Sequence, residues 1–238
     1  MGSKSSKGTA VHLEKICKTY FRGQERIDAL KNVSLTIDQG EFAVIIGPSG
    51  GGKTTLLHIM GGLERPTSGI TSINNVKIND LDEARLSRFR SKKIGFVFQF
   101  YNLIPSLSAI DNTALPLVAQ GFMRKEANRK ADEILERVGM DGRKNHKPAE
   151  LSGGEQQRVT IARALISQPA VILADEPTGN LDHQATEEII HLLTVINREL
   201  HTTVLVTTHN HRFISAANSL FDLSNGVLNE FHPKTADI

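Results

Sequence analysis

Cysteine is nearly missing from this chain: Cys17 is the only one in 238 residues. That excludes an internal disulfide framework, fits a reducing compartment and leaves Cys17 to read as a small core residue. A dominant charge is missing as well. Lys and Arg number 28 against 26 Asp and Glu, a formal net charge of +2 spread along the sequence, so the long-range field of a nucleic-acid binder is absent and neither DNA nor RNA is an expected partner. No stretch approaches the roughly 18 consecutive apolar residues of a membrane-spanning helix, and no apolar segment follows Met1 as a secretory signal would. The expectation is a cytoplasmic chain that is not exported. Internal repeats and long linkers are lacking too. What remains, 39% hydrophobic and 23% charged residues, is the balance of an ordinary globular domain able to bury a core. Residues 1–9 read as a disordered leader. Gly2 and Ser6 also fit the permissive myristoylation pattern, but the plain leader is the preferred reading.

Two kinds of strand pattern are present. Residues 10–16 and 30–37 alternate apolar with polar positions, and 69–78 does so less cleanly after the turn 66–69; such alternation predicts a half-exposed antiparallel sheet. Residues 42–46, 171–174 and 204–206 are apolar throughout, which predicts strands covered on both faces in a parallel sheet. Between these groups, 110–121 and 126–138 read as helices, the second with Ala127, Ala131, Ile134, Leu135 and Val138 on one stripe. A further helix is expected from Gly153 to about residue 167, started by Ser152 and Glu155 at capping-box spacing and stopped before Pro169.

The run Gly47-Pro48-Ser49-Gly50-Gly51-Gly52-Lys53-Thr54 follows a buried-type strand and opens an apolar helix that includes Thr55, the pattern and context of a phosphate-binding Walker A loop. Its glycines let backbone N–H groups turn around phosphate oxygens at a helix N-terminus, Lys53 reaches the β and γ phosphates, and the Thr54 hydroxyl suits Mg2+. The strand at 171–174 runs into Asp175 and Glu176, adjacent carboxylates that point oppositely if the strand persists and so have different jobs. Taken alone, Glu176 also reads as a cap for the segment that follows. Gln99 ends an apolar run and His209 ends another. His209 and His211 together suggest a metal pair, but no further His or Cys lies near them in sequence.

The run 151–157, Leu151-Ser152-Gly153-Gly154-Glu155-Gln156-Gln157, resembles the signature sequence of the ATP-binding cassette (ABC) ATPases, and the other motifs stand in that family's order over about residues 11–229. The resemblance implies an α/β fold of the P-loop NTPase type. Its RecA-like parallel core would span about 10–98 and 168–230, with an N-terminal antiparallel β subdomain and a helical subdomain at about 99–167. Residues 10–230 would form the single domain and 231–238 a tail. ATP and Mg2+ are implied, with Thr54, Gln99 and Asp175 toward the metal, Glu176 polarising the attacking water, and His209 hydrogen-bonding the γ-phosphate. Tyr20 would stack on adenine, a contact that Phe21 could also offer. Ser152, Gly153, Gly154 and Glu155 would face an ATP held by a second copy of the chain, with Asp182 at the dimer interface. Where the family carries aspartate after the switch histidine, this chain has Asn210.

Within the family, the segments 95–105, 114–117, 57–63 and 145–151 are similar to the LolD, MacB and FtsE group, which drives membrane subunits that act on an extracytoplasmic domain. An amino-acid-type importer ATPase is the alternative, and a soluble ABC protein the more distant one. In the first two cases integral membrane subunits are the implied partners, with the chain peripheral on the inner face of the membrane.

Overall fold

A computed structural model describes residues 8–231. Ten strands and six helices fall into two sheets and a helical layer: β1 (Thr9–Arg22), β2 (Glu25–Asp38), β3 (Phe42–Ile46), α1 (Lys53–Met60), β4 (Ser68–Ile73), β5 (Val76–Lys77), α2 (Glu83–Lys93), β6 (Ile94–Val97), α3 (Ala109–Ala119), α4 (Arg124–Arg137), α5 (Gly153–Leu165), β7 (Val171–Asp175), α6 (His183–Leu200), β8 (Thr203–Thr208), β9 (Ser219–Ser224) and β10 (Val227–Glu230). The larger sheet has the order β10-β9-β3-β8-β7-β6, parallel except for β10, and the smaller one is antiparallel in the order β2-β1-β4-β5.

Why the core strands lack polar alternation is visible in their packing. Phe42, Val44 and Ile46 of β3, with Ile172, Ala174, Val204 and Val206, belong to one hydrophobic cluster with residues of α5 and α6. Ala43 and Ile45, with Val171, Leu173 and Leu205, belong to another that takes in α1 and the antiparallel sheet. Each strand is therefore buried on both faces, as a parallel sheet between two layers must be. Helices α3 and α4, with Ile166 just past the end of α5, share a third, smaller cluster of Ala114, Leu117, Ala127, Ala131 and Ile166.

Several boundaries differ from the expectation, each for a local reason. β1 continues past Ile16 to Arg22 and β2 starts as early as Glu25, because the outer ends of this hairpin are only half-buried or exposed and so carry no apolar alternation. The expected strand at 69–78 is two strands. Asn74 and Asn75, at φ 48° and 63°, turn the chain between β4 and β5, using the left-handed conformation that Asn tolerates. Thr9, expected in the leader, pairs with Asp38 in the sheet, while residues 1–7, including Gly2 and Ser6, lie outside the described residues. Of the expected tail, Phe231 donates its N–H to the Leu220 carbonyl at 2.7 Å, and 232–238 lie outside the described residues. Among the described residues no helix is long and apolar enough to cross a membrane.

Candidate functional site

The loop after β3 is shaped by close backbone approaches. A Cβ at Gly47 would lie 2.2 Å from the Leu223 carbonyl oxygen, and one at Gly52, which has φ 103°, would lie 2.6 Å from that of Ala29; no side chain fits at either position. Gly52 is also the N-cap of α1 and offers that helix no side-chain cap, so the first N–H groups of α1 remain available to an external anion. A hollow of about 330 Å³ opens here, lined by Ser49, Gly50, Gly52, Lys53, Thr54, Thr55, Gln99, Glu176 and His209, with Ala29 at its edge. Residues from four separate segments, expected from the motifs to act together, thus meet in one place. Gly47, Pro48 and Gly51 shape the loop behind it.

Lys53 is only 6% exposed and its ammonium is fully engaged. Nζ donates to the carbonyls of Gly47 at 2.9 Å and Pro48 at 3.1 Å, and it lies 3.4 Å from Oε1 of Glu176. The strand does not persist through both carboxylates. β7 ends at Asp175 and Glu176 takes φ 44°, a strained left-handed conformation for a non-glycine residue. That kink aims Glu176 into the hollow, where Oε2 accepts from Thr208 Oγ1 at 3.0 Å and from the His209 N–H at 3.2 Å. Nδ1 of His209 lies 3.0 Å from the same oxygen. Asp175 does not line the hollow; its Oδ1 accepts from Thr207 Oγ1 at 2.7 Å. Asn210, the departure from the family pattern, starts the short turn His211–Ala216, its Oδ1 accepting from the Arg212 N–H at 3.1 Å, work that an aspartate would do equally well.

Gln99 is fastened to the segment that follows β7. Asn180 donates to the Gln99 carbonyl at 2.9 Å, and Gln99 Nε2 lies 3.4 Å from Asn180 Oδ1. Two residues on, Tyr101 and Asn102 stand at φ 58° and 50°. Arg163 of α5 holds both, donating to the Asn102 carbonyl at 2.6 Å and the Tyr101 carbonyl at 2.7 Å, and Thr160 adds a bond to Tyr101 at 3.2 Å. Burial pushes the Arg163 pKa below its ordinary value. Neither contact, of Asn180 or of Arg163, was expected from sequence, since nothing local to either residue reveals a partner 81 or 61 positions away.

Tyr20 sits beside α1 rather than in the wall of the hollow. Its hydroxyl donates to Glu64 Oε2 at 2.6 Å and lies 3.4 Å from Thr55 Oγ1. Burial works against the Glu64 carboxylate, but hydrogen bonds from Lys18 and Tyr20 outweigh it and hold its pKa below the ordinary value. Burial, then the bond to Glu64, raises that of Tyr20. Phe21, the alternative aromatic, is 73% exposed.

Ser152 to Glu155 form the expected capping box. Ser152 Oγ accepts from the Glu155 N–H at 3.2 Å and Glu155 Oε2 accepts from the Ser152 N–H at 2.8 Å. That backbone bond, with Arg143 beside it at 3.2 Å, keeps the Glu155 carboxyl below its ordinary pKa. Asp182 caps α6 in the same manner, accepting from the Ala185 N–H at 2.8 Å. The N-termini of α5 and α6 thus border a second hollow, of about 310 Å³, lined by Ser152, Gly153, Gly154, Glu155, Asn180 and Asp182 among others. It shares no lining residue with the first. Each helix start is a surface suited to an anion, yet within one chain nothing from the lysine loop lines it.

Known proteins resemble this chain over most of its length. The family model described as ABC transporter matches residues 30–179. The chain is 44% identical over 228 residues to the lipoprotein-releasing system ATP-binding protein LolD of Bordetella pertussis, covering 96% of this chain and 99% of that one. Among solved structures it is similar to the dimeric cassette MJ0796 of Methanocaldococcus jannaschii in a post-hydrolysis state bound to ADP and Pi, with TM-score 0.85, 44% identity, and 94% and 100% of the two chains covered. It is also similar to CbiO1 of Clostridium perfringens, described as part of the transporter complex CbiONQ, with TM-score 0.82, 28% identity, and 94% and 88% covered.

Proposed function

This chain belongs to the ABC transporter family, and from that premise we propose that it is the ATP-hydrolysing subunit of a LolD- or MacB-like membrane complex, acting as a dimer of two copies. One cassette domain over about 10–230, with 99–167 as its helical part, carries the activity. The observation that carries this reading is the convergence of Lys53, Glu176, His209 and Gln99 on the glycine loop, with the capped signature helix opening on a separate hollow.

ATP binds with its phosphates on the loop 47–55, where the uncapped start of α1 and the Lys53 ammonium meet negative charge. The donors fit Mg2+: the Thr54 hydroxyl and the Gln99 side chain line the hollow, and the Asp175 carboxylate, outside that lining, would reach the ion through a water, all of them hard oxygen ligands of the kind this ion takes. When bound, the ion neutralises charge on the β and γ phosphates. To admit the phosphates, Lys53 gives up the Gly47 and Pro48 carbonyls and loosens its contact with Glu176. Glu176, kept by Thr208 and His209 at the mouth of the site, then orients and polarises the attacking water. His209, 62% exposed at its side chain, turns to the γ-phosphate. The second copy supplies Ser152, Gly153 and Gly154 with the positive end of its α5, with Glu155 behind them and Asp182 near the interface. Hydrolysis removes the phosphate that bridges the two copies and loosens them. Tyr20 receives the adenine.

Membrane subunits are the partners, which places the chain peripherally on the inner face of the membrane. Two measurements test the proposal. Mg2+-dependent ATP turnover by the chain with its membrane partner should fall by at least about 100-fold in Lys53→Ala or Glu176→Gln, the scale expected when a transition-state group is lost. Wild-type protein without turnover would defeat it. Membrane subunits that co-purify should have four spanning helices and a large extracytoplasmic domain, whereas a multi-helix permease with a substrate-binding protein would replace this subfamily by an importer.

A further inference from the structure

The outer part of the first hairpin is poorly held by its backbone. β4 pairs with β1 only as far as Cys17, opposite Ser68, so from Lys18 to Arg22 β1 has β2 as its sole ladder partner. A two-stranded ribbon of this kind has little stability or fixed direction of its own. Side chains supply what the ladder does not: Thr67 Oγ1 accepts the Thr19 N–H at 3.0 Å, Asp28 accepts from Thr19 and Arg26 within the ribbon, and Lys18 and Tyr20 converge on the carboxylate of Glu64. Glu64 accepts the Tyr20 hydroxyl at 2.6 Å and pairs with the Lys18 ammonium at 2.8 Å. Lys18 also donates to the Arg65 carbonyl at 2.9 Å, and its Nζ stands over the Tyr20 ring, 5.0 Å from the centroid. Glu64 itself stands in the turn that leaves α1, its N–H 3.3 Å from the His58 carbonyl. The tyrosine hydroxyl touches Thr55 at the other end of that helix.

From this we infer that Glu64 is a positioning residue for the adenine of bound ATP: it ties Tyr20 to α1, the helix that begins at the phosphate loop, and so fixes the ring's distance from the phosphates. The inference rests on the reading of Tyr20 as the adenine platform. The chemistry favours this geometry. A phenol whose hydroxyl is anchored to a carboxylate cannot swing about its Cβ, and an ammonium over one face leaves the opposite face for a stacked base. An anchored ring also has less freedom to lose when the base arrives, so the anchor acts on affinity.

The test separates base from phosphates. Dissociation constants for MgATP and for inorganic tripolyphosphate, which has the phosphates without the base, are measured by calorimetry on the full chain. The variants are Tyr20→Ala, Tyr20→Phe, Glu64→Leu and Glu64→Gln. Tyr20→Ala should weaken ATP by about tenfold, within the range measured for base–aromatic stacking. Glu64→Leu should weaken ATP by about threefold or more, and Glu64→Gln, which keeps an oxygen for the phenol, by less than about twofold. Tripolyphosphate should bind alike in all of them, which also shows that each variant is folded. Glu64→Leu should add less in a Tyr20→Phe background than in the wild type, because the phenol bond is already gone and only the Lys18 pair is left to lose. If Tyr20→Ala weakens ATP and Glu64→Leu does not, the positioning role is overturned and the Tyr20 reading stands. If Tyr20→Ala has no effect on ATP, both fall. Equal weakening of ATP and tripolyphosphate by Glu64→Leu would make Glu64 a support of the phosphate loop and overturn its role toward the base.

Discussion

Ser152 caps a helix and, in the proposed function, has a second job that a single substitution can separate from the first. As the N-cap of α5 it accepts the Glu155 N–H, and losing such a cap costs about 1 kcal/mol. In the proposed function it would also face, as a signature residue, the phosphate of another copy. Ser152→Ala is expected to lower stability by about that amount in urea unfolding, and Ser152→Asp, which caps as well as serine, by less than about 0.5 kcal/mol. Turnover should nevertheless drop at least tenfold in the aspartate variant, which sets a negative charge against phosphate, while ATP binding by the monomer is unchanged. Turnover that simply follows stability across the two variants would reduce Ser152 to a cap. At this scale the sequence is legible where one residue's chemistry needs a fixed neighbour, as in Ser152 with Glu155 or the glycines before Lys53. It is not legible where partners meet through the fold. Tyr20 and Glu64 are 44 positions apart, and Arg163 and Asn102 are 61.

Helix α5 joins the signature to the loop after Gln99 through Arg163. A guanidinium donates two N–H bonds at a fixed angle, and here they go to successive carbonyls of Tyr101 and Asn102, residues whose left-handed backbone needs an external hold. Hydrogen bonds from a charged donor are worth about 1.5–3 kcal/mol each. Arg163→Ala should therefore destabilise the chain by about 2–4 kcal/mol, and Arg163→Lys should restore less than half, since a point-like ammonium cannot span both carbonyls. Full recovery by lysine in denaturant titrations would show that charge, not the fork, holds this loop. Among the elements themselves, the core strands follow from apolar runs, α4 from its apolar stripe and α5 from its capping box and the stop at Pro169. α2 does not, because Leu86 is its one buried residue and a helix with so little buried shows no stripe. α6, by contrast, carries Ile189, Leu193 and Ile196 at helical spacing, a pattern that the expectation built around the motifs omits. β9 is short and mixed in character, with Ser219, Asp222 and Ser224 among its six residues, and it is defined by pairing with β3 rather than by its own sequence.

In the proposed function the molecule as a whole is half of a catalytic unit. Its lysine loop and its signature line two hollows with no residue in common, although the Gln99–Asn180 contact makes the hollows neighbours. In the proposed dimer, two copies related by a two-fold axis would bring each loop to the other's signature and give two equal composite sites, a closed arrangement of the common isologous kind. Ligand binding of this sort would stabilise the dimer for as long as the γ-phosphate persists. The decisive measurement is the molar mass of the Glu176→Gln variant by size-exclusion chromatography with light scattering, with and without saturating ATP. A shift from monomer to dimer on adding ATP, lost again in the Glu176→Gln, Ser152→Glu double variant, is the result predicted. A Glu176→Gln protein that binds ATP and stays monomeric would contradict the composite site.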